Sequence, residues 1–351
     1  MKRLWIFLLA LLLVAGCSSA APDQPAPVTS QPGPAGEAPK PEPPPAKPPE
    51  TKPPEPVRTE GPLYLLSAGP NPLWGGPAVV SVENSPMSRP QAGLEKADLV
   101  VELLAESEIT RFLAFYWSQP AAKIGPIRSA RTAFIAIADA YDAPFAHAGG
   151  SAEALDILAR EWGAKNLDEI YGSWQYFYRW KEREPPHNLY TTTDLLGRAV
   201  AERKLAWREI PTSPKAEAMP APGKEAARVR VDWHKLHQVS WSWSESRYLR
   251  VDDGEPHLLE SGEQIGAVNL IFLEVQGENK GPDLGWTLFF QPGGKATVIS
   301  AGHRWEGSWA LEAGGFRLTP VGGKVPLLAP GSTWVHLITH ESSFQVEEAR
   351  P

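Results

Sequence analysis

Two arginines and a glycine turn are the residues whose types and spacing best suit a binding site. Arg128 and Arg131 stand three residues apart in a segment that begins at Lys123 and reads KIGPIRSAR. Residues three apart share a helix face, so the two guanidinium groups could hold one phosphate or carboxylate. The same stretch ends in HAGGS at residues 147–151. A glycine turn that opens a helix offers backbone N–H groups, and the stretch therefore predicts an anion site.

Three more side chains complete the predicted cleft. Arg111 lies on a predicted strand, and His187 follows two prolines that restrict the backbone before it. Glu102, on a second predicted strand, is expected to close one side. Because cations gathered on an acidic protein need a partner, the expected ligand is an anionic or polyhydroxylated molecule of the cell envelope. The predicted ligand-binding residues are Arg111, Arg128, Arg131, His147, His187 and Glu102.

The same residues also admit a purely structural interpretation. Asp139, Asp142 or Glu102 could neutralise the arginines inside the fold. Ser151 could do no more than cap the helix that follows it, and His187 could be a solvated loop histidine. Both interpretations stay open at the level of the sequence.

The first residues predict an exported lipoprotein. Lys2 and Arg3 precede an apolar run that ends in the sequence VAGC, whose cysteine is Cys17. This pattern is typical of a lipoprotein signal peptide, so residues 1–16 are predicted to be removed and Cys17 to carry lipid. A membrane-spanning helix is the alternative, but the run is shorter than the roughly 20 residues that a span needs. The predicted location is the extracytoplasmic face of the cell membrane, with the lipid as anchor.

Composition excludes several other kinds of chemistry. Cys17 is the one cysteine of the chain. Once it carries lipid, no thiol is left for a disulfide, a cysteine-bound metal or a cysteine nucleophile. Loss of Lys2 and Arg3 with the signal peptide moves the formal net charge from −7 to −9, which disfavours nucleic acid as a partner. The sequence identifies no protein partner.

Residues 17–61 are predicted to form a disordered tether. They hold 15 of the 37 prolines, between Pro22 and Pro56, and few apolar side chains. Such a composition cannot bury a core and favours extended polyproline conformations. A ligand for a proline-recognising domain is the weaker alternative, since such domains are mostly cytoplasmic.

The remaining chain predicts an α+β protein of two domains. In residues 62–210, strand patterns alternate with helical ones, which predicts a layered mixed α/β domain. The strand patterns lie at 78–84, 97–104 and 109–117, and the helical patterns at 130–141 and 152–162.

A second domain follows a Pro- and Lys-rich linker at residues 211–225. Residues 226–351 contain short strand patterns separated by Gly, Asp or Pro turns, which predicts an all-β domain. Seven of the fourteen tryptophans lie there. They are expected to line the contact between the domains, although tryptophans with exposed faces could stack on sugar rings.

An ordered series of motifs runs through both predicted domains. The motifs are SRPQAG at 88–93, ITRF at 109–112, KIGPIRSAR at 123–131, HAGG at 147–150, PHNLY at 186–190, AVNL at 267–270, GGKA at 293–296 and PGSTW at 330–334. The series resembles the YerB-like lipoproteins, a bacterial family carried under a domain of unknown function. The resemblance covers nearly the whole exported part. It implies a layered α/β first domain, a β-rich second domain and a lipid anchor, with no agreed activity.

A fainter similarity concerns the LytR-CpsA-Psr enzymes, which move glycopolymers from lipid pyrophosphates onto the cell wall. Asp98, the pair Arg128 and Arg131, and the turn at residues 149–150 are similar in order to that family's metal-holding aspartate, pyrophosphate-binding arginines and glycine turn. The family's Arg-Ser-Asp-Thr-like signature is absent around Asp98. The similarity implies an alternative function, a phosphoester or glycopolymer-processing enzyme that depends on a divalent metal.

The leading prediction is a binding or scaffolding module rather than an enzyme. No complete catalytic constellation is visible, since Ser151 follows His147 but lies outside a G-x-S-x-G turn and lacks an evident orienting acid. No metal site is predicted, because the spaced pair His234 and His237 lacks neighbouring ligands. No cofactor is predicted either, and a divalent metal belongs to the alternative function only.

The anchor prediction can be tested with Cys17→Ala. The variant lacks the thiol that accepts lipid, so we expect it to leave the membrane fraction or to accumulate there as unprocessed precursor. Fractionation followed by mass measurement of the N-terminus distinguishes the two forms. A processed Cys17→Ala protein that stays with the membrane would contradict the anchor.

Overall fold

Runs of β-branched and aromatic residues make strands the main element of the folded chain. The computed structural model describes residues 58–60, 62–67, 72–216, 224–321 and 324–348, which all belong to one compact unit, Lys52–Pro351. The predicted signal peptide and most of the predicted tether lie outside the described residues.

The elements of the N-terminal half alternate between strand and helix. The strands are β1 (Arg58–Glu60), β2 (Leu63–Tyr64), β3 (Ala78–Glu83), β4 (Leu99–Glu106), β5 (Ile109–Tyr116), β6 (Phe145–His147), β7 (Asn166–Asp168), β8 (Tyr178–Arg179) and β9 (Leu189–Tyr190). The α-helices are α1 (Thr132–Ala140), α2 (Ala152–Glu161) and α3 (Thr193–Glu202). Short 3-10 turns lie at Pro86–Ser88, Leu94–Lys96, Gly163–Lys165 and Trp174–Tyr176, and an irregular turn at Glu169–Ser173.

The described residues after Glu202 contain strands and no helix. These strands are β10 (Lys224–Glu225), β11 (Arg228–His234), β12 (His237–Ser244), β13 (Arg247–Asp252), β14 (Glu255–Pro256), β15 (Gly266–Ala267), β16 (Asn269–Glu274), β17 (Gln276–Asn279), β18 (Trp286–Phe289), β19 (Gly294–Ser300), β20 (His303–Glu312), β21 (Gly315–Pro320), β22 (Lys324–Pro326), β23 (Thr333–Ile338) and β24 (Ser343–Glu347). The predicted all-strand character of the second half is confirmed for this part of the chain.

Helix starts in the N-terminal half follow local side chains. Ser151 Oγ accepts from the N–H of Ala154 at 3.4 Å and caps α2, while Thr192 accepts from Leu195 at 3.0 Å and caps α3. The capping role that the sequence allowed for Ser151 is therefore present. The predicted helices at 130–141 and 152–162 are confirmed, the first three residues and the second one residue shorter than expected.

Twelve strands of the described chain form one large sheet. Eleven follow the order β2-β21-β20-β19-β16-β23-β4-β5-β3-β6-β7, and β10 pairs with β20 beside that path. The central strands β4 and β23 are buried almost throughout, in keeping with their runs LVVELLA and TWVHLI, which are apolar apart from Glu102, Thr333 and His336. Strands covered on both faces need apolar residues on both, which is why these runs do not alternate.

Backbone pairing in this sheet crosses the boundary between the two halves. β4 runs parallel to β23, in register from Leu99 opposite Thr333 to Glu102 opposite His336. The two halves therefore share one sheet and one apolar core. The predicted limits at 62–210, 211–225 and 226–351 stay a prediction, because residues 217–223 are not described and the large sheet is not confined to either range.

A smaller sheet belongs to the C-terminal half alone. Its order is β14-β13-β12-β11-β24, and β15 also pairs with β13. Alternating burial along β11 shows that one face packs inward, with Val229, Val231 and Trp233 in the core. Among the described residues, no helix is both long and apolar enough to cross a bilayer.

Limited proteolysis can test how the halves are joined. We expect the first cuts in residues 18–61 and later cuts at 211–225. Because β4 and β23 pair across the boundary, fragments cut at 211–225 should co-elute in native size-exclusion chromatography and separate only in denaturant. Fragments that separate without denaturant would contradict the shared sheet. A first cut within residues 231–340 would contradict the predicted boundary.

Candidate functional site

Two of the predicted arginines share one carboxylate. Arg111, on β5, and Arg131, just before α1, both donate to Oε1 of Glu106, and the Arg111 Nη2–Oε1 distance is 2.9 Å. Arg111 also donates to Ser129 O at 2.9 Å, and Arg131 donates to Ala130 O at 2.7 Å. Both arginine side chains are buried. The structure thus brings the two residues together around a carboxylate of the protein itself.

A second carboxylate contacts two more of the predicted residues. Oε1 of Glu83, the last residue of β3, lies 3.1 Å from Arg128 Nε, and its other oxygen lies 2.8 Å from His187 Nδ1. Glu83 stands directly opposite Arg111 in the β3–β5 register, so its side chain is on the same face of the sheet. Glu83 and Glu106 therefore organise four of the six predicted ligand-binding residues.

Sequence reasoning missed both glutamates. It offered Asp139, Asp142 and Glu102 as partners, but Asp142 binds Lys165 at 2.6 Å. One feature of the sequence could have pointed to these glutamates. Glu83 and Glu106 are each the last residue of a strand, and both strands belong to the sheet that carries Arg111.

A loop from the C-terminal half lies over this arginine cluster. A Cβ placed on Gly285 would lie 3.3 Å from Arg131 Nε and 2.1 Å from Ala105 O, so the Gly285 backbone packs directly against the guanidinium. Trp286 holds the loop by donating its indole N–H to Ser107 O at 3.1 Å. An anion could reach Arg131 only if this loop moved.

Burial changes the acidity of the clustered guanidiniums. It lowers the pKa of Arg111 to about 10, against the opposing charge of Glu83, and it lowers the pKa of Arg131 as well. Both remain cationic at neutral pH. The Nε atoms of both have no hydrogen-bond partner among the described residues. Three guanidiniums therefore face two carboxylates in a region that is mostly closed to solvent.

Glu102 does not close this cluster, which corrects the expected cleft. Its Oε1 accepts from Thr110 Oγ1 at 2.9 Å, and side chains alternate along a strand, so Thr110 and Arg111 point to opposite faces of the sheet. Glu102 is fully buried on the Thr110 face. Its cationic partner is Arg250, from the other half of the chain.

His147 is also inside the fold. Its Nδ1 lies 2.8 Å from Gly149 O, and the ring is fully buried. The N–H of Gly149 donates to Asp168 Oδ1 at 2.9 Å, and the N–H of Ser151 donates to Ala130 O at 3.3 Å. These groups are used internally, which corrects the expectation that the glycine turn presents them to an anion.

The fully buried ion pair between Arg250 and Glu102 joins the two halves. Nη1 lies 2.7 Å from Oε2 and Nη2 lies 2.8 Å from Oε1, a two-point contact, and Nη2 also lies 3.0 Å from Asp252 Oδ2. Burial alone would raise the pKa of Glu102, but the charge and hydrogen bonds of Arg250 hold it below its ordinary value. The pair is therefore ionised inside the core.

Polar side chains of the SRPQAG motif extend this network. Arg89 Nη1 lies 2.7 Å from Asp252 Oδ1, and Gln91 Oε1 lies 2.9 Å from His257 Nε2. Arg250 Nε–H donates to His257 Nδ1 at 3.0 Å, so that nitrogen must be unprotonated. Burial and the charge of Arg250 lower the pKa of His257 to about 4, against the opposing effect of Asp252. The motif thus serves the junction between the halves.

Aromatic rings surround the buried guanidinium. The Arg250 Cζ atom lies 5.4 Å from the ring centres of Phe112 and Trp241 and 5.5 Å from that of Trp334. Phe112 comes from the N-terminal half, so tryptophans line the contact between the halves as predicted. Both tryptophans are buried and have no exposed face for a sugar ring.

One group of potential metal ligands lies next to this network. Ligand atoms of His237, Asp252 and Asp253 lie within 4.8 Å of one another. Burial alone would raise the pKa of Asp252, but a hydrogen bond from His237 and the charges of Arg250 and Arg89 hold it well below its ordinary range. Because two guanidiniums already neutralise Asp252, the donor set does not fit a divalent ion.

The residues whose order along the chain is similar to that of the LytR-CpsA-Psr enzymes do not form one site in the structure. Asp98 precedes β4 and accepts from the N–H groups of Trp117 at 2.7 Å and Ser118 at 3.0 Å. Glu106, which holds Arg131, ends the same strand. Eight residues of extended chain separate the two positions by roughly 26 Å. One metal-bound pyrophosphate could not contact both.

Residues of both halves line a cleft of about 600 Å³, which we call the seam cleft. Lys215 directs its ammonium group into this region and donates to Gly331 O. Burial lowers the pKa of Lys215, and the nearby charge of Asp98 opposes the effect. The lining includes Leu94, Asp98, Lys215, Arg247, Leu259, Glu263 and Trp334.

Comparison with known proteins defines the family. Residues 66–206 match the model described as "Protein of unknown function (DUF3048) N-terminal domain", and residues 228–335 match the C-terminal domain of the same family. The chain belongs to this family, and the resemblance predicted from the motifs is confirmed.

Comparisons with known proteins and with solved structures both find YerB from Bacillus subtilis. The protein named "Putative lipoprotein YerB" of strain 168 is 34% identical over 274 residues, which cover 75% of this chain and 81% of that protein. The crystal structure of YerB protein superposes with a TM-score of 0.67 at 28% identity and covers 82% of this chain and 99% of that chain.

The contribution of the buried ion pair to stability can be measured with Arg250→Leu. The substitution leaves Glu102 charged and unpaired in the core, so we expect the free energy of unfolding in urea to fall by about 3–5 kcal/mol. Arg247→Leu is a matched control on the same strand. Its partner Glu263 is exposed, and we expect a loss of at most about 1 kcal/mol.

A double variant separates the ion pair from simple packing. Glu102→Leu/Arg250→Leu leaves neither charge uncompensated, and it should recover part of the stability lost in Arg250→Leu. Equal losses in Arg250→Leu and Arg247→Leu would show that the buried pair does not determine the junction.

Proposed function

We propose that this protein is a lipid-anchored binding module on the extracytoplasmic face of the cell membrane, and that it holds an anionic, polyhydroxylated envelope ligand in the seam cleft. The lipobox at Cys17 and the name of the Bacillus subtilis relative support the anchor. The observation that carries the binding role is the seam cleft itself, with the ammonium of Lys215 inside it.

The chemistry of Lys215 favours an anionic group. An ammonium has three N–H donors, and within the described part of the chain its hydrogen-bond partner is Gly331 O. The carboxylate of Asp98 is nearby, but its Oδ2 accepts from the backbone N–H groups of Trp117 and Ser118, and its Oδ1 accepts from the Ser118 hydroxyl. A phosphate or carboxylate of a ligand would supply the acceptors that the ammonium lacks, in surroundings where burial makes that charge costly.

The remaining lining suits a ligand with hydroxyl groups. The carboxylates of Glu95 and Glu263 can accept from hydroxyls, whereas Leu94, Leu259 and Trp334 are buried behind the surface of the cleft. The volume of the seam cleft, about 600 Å³, lies within the range of about 300–1,000 Å³ found for small-molecule sites. Such sites occur preferentially where two domains contact each other.

The seam cleft supports binding better than the arginine cluster does. The guanidiniums of Arg111, Arg128 and Arg131 are held by Glu83 and Glu106, and a loop covers part of them. Nothing in the described residues favours the enzymatic alternative over a binding module. That alternative needs Asp98 and Arg131 at one site, but Asp98 and the partner of Arg131, Glu106, lie at opposite ends of β4.

A screen with a matched pair of lysine variants tests this proposal. The full mature chain is screened by thermal shift against wall-glycan fragments and lipid-pyrophosphate analogues, and hits are titrated by calorimetry. Loss of a charge-assisted hydrogen bond costs about 1.5–3 kcal/mol, so Lys215→Met should weaken a hit by roughly 10- to 100-fold. Lys235→Met, which changes an exposed lysine outside the seam cleft, should leave the affinity unchanged.

The screen also has outcomes that contradict the proposal. A hit whose affinity is the same in Lys215→Met and in the unchanged protein would place the ligand outside the seam cleft. Turnover of a hit in the presence of a divalent ion would favour the enzymatic alternative instead.

A further inference from the structure

Three large apolar side chains are exposed within five residues of one another. Ile170, Tyr171 and Trp174 are 57%, 68% and 71% exposed, and we call this group the aromatic patch. The tryptophans around Arg250 are buried, whereas the Trp174 ring faces solvent. Exposed aromatic rings grouped in this way are usual at binding surfaces and costly elsewhere.

The backbone beneath the aromatic patch is held firmly. Arg203, which follows α3, donates to Gly172 O at 3.3 Å and to Ser173 Oγ at 2.7 Å. Asp168 Oδ1 accepts from the N–H of Ile170 at 3.0 Å. Gly172 has φ of +104°, a conformation that side chains strain, so this turn requires glycine. The rings are therefore presented on a fixed turn.

The groups beside the aromatic patch are polar and carry no net charge. Glu169 accepts from Arg179 Nη2 at 3.1 and 3.2 Å with its two oxygens. Arg179 Nη1 also donates to Asn188 Oδ1 at 3.1 Å. A neutral flank of donors and acceptors beside flat rings complements a neutral sugar chain. Its hydroxyls bond the flank and its C–H faces pack on the rings.

We propose that Ile170, Tyr171 and Trp174 form a stacking surface for the pyranose rings of a wall glycan strand. Tyr171 and Trp174 supply the flat faces, Ile170 fills the space beside them, and Glu169 with Arg179 bonds the sugar hydroxyls. The aromatic patch shares no residue with the seam cleft. The two surfaces can therefore be tested separately, and failure of one leaves the other standing.

Co-sedimentation with purified peptidoglycan sacculi tests this surface. The probe protein is the mature chain from residue 17 with Cys17→Ser, so that no lipid contributes to pelleting. We expect Tyr171→Ala/Trp174→Ala to bind sacculi at least tenfold more weakly, with an unchanged melting temperature. Tyr171→Phe/Trp174→Phe keeps flat rings and should retain most of the binding. Leu236→Ala, at an apolar side chain that is 79% exposed elsewhere, is the control.

Parallel sedimentation with vesicles of anionic phospholipid distinguishes a glycan from a membrane. We expect no difference between the unchanged protein and Tyr171→Ala/Trp174→Ala in this assay. The proposal is overturned if the unchanged protein does not pellet with sacculi, or if the alanine pair pellets equally well. A loss of vesicle binding in place of sacculus binding overturns it too, because the occupant would then be a lipid surface.

Discussion

A guanidinium that is fully removed from water needs a carboxylate partner inside the protein. Arg250 is such a guanidinium, since its side chain is fully buried. The nearest carboxylates come from both halves of the chain, Glu102 on β4 and Asp252 on β13. An unpaired charge in such a place would cost several kcal/mol, so the two halves can dock in only a narrow range of positions. Parallel pairing of β4 with β23 fixes the same relation through the backbone. One ion pair and one strand pair thus define the junction.

Other polar residues of the motifs follow from this constraint. Arg89 and Gln91, in a turn-rich connector, complete the network by binding Asp252 and His257. Phe112, Trp241 and Trp334 enclose the guanidinium and exclude water from it. Of the predicted ligand-binding residues, Glu102 belongs to this network, where it holds the two halves together.

The arginines of the N-terminal half also have carboxylate partners inside the protein. Arg111 and Arg131 are buried and share the single carboxylate of Glu106, while Arg128 pairs with Glu83, so each guanidinium contacts a carboxylate although the cluster keeps a positive charge in excess. Binding capacity is therefore left to groups that the fold does not satisfy internally. The ammonium of Lys215 in the seam cleft and the exposed rings of the aromatic patch are two such groups. A module with an ammonium pocket and a separate stacking surface is suited to a ligand that carries both charge and sugar.

Local patterns in the sequence determined the elements. Apolar runs and turn residues predicted β3, β5, α1 and α2 to within about two residues, because strand and helix periodicity depend on neighbours in the chain. The family motifs are local in the same sense, and they identified the family without a structure.

Only the tertiary structure decided which charges meet. The chain has 41 acidic residues, and nothing local distinguishes Glu83 and Glu106 from Asp139 as partners of the arginines. Strand register made that choice by placing Glu83 opposite Arg111, and side-chain alternation put Glu102 on the other face of the sheet. The pairing of Glu102 with Arg250 spans 148 residues of sequence. Contacts of that separation depend on how the sheet closes, which the pattern of single strands does not encode.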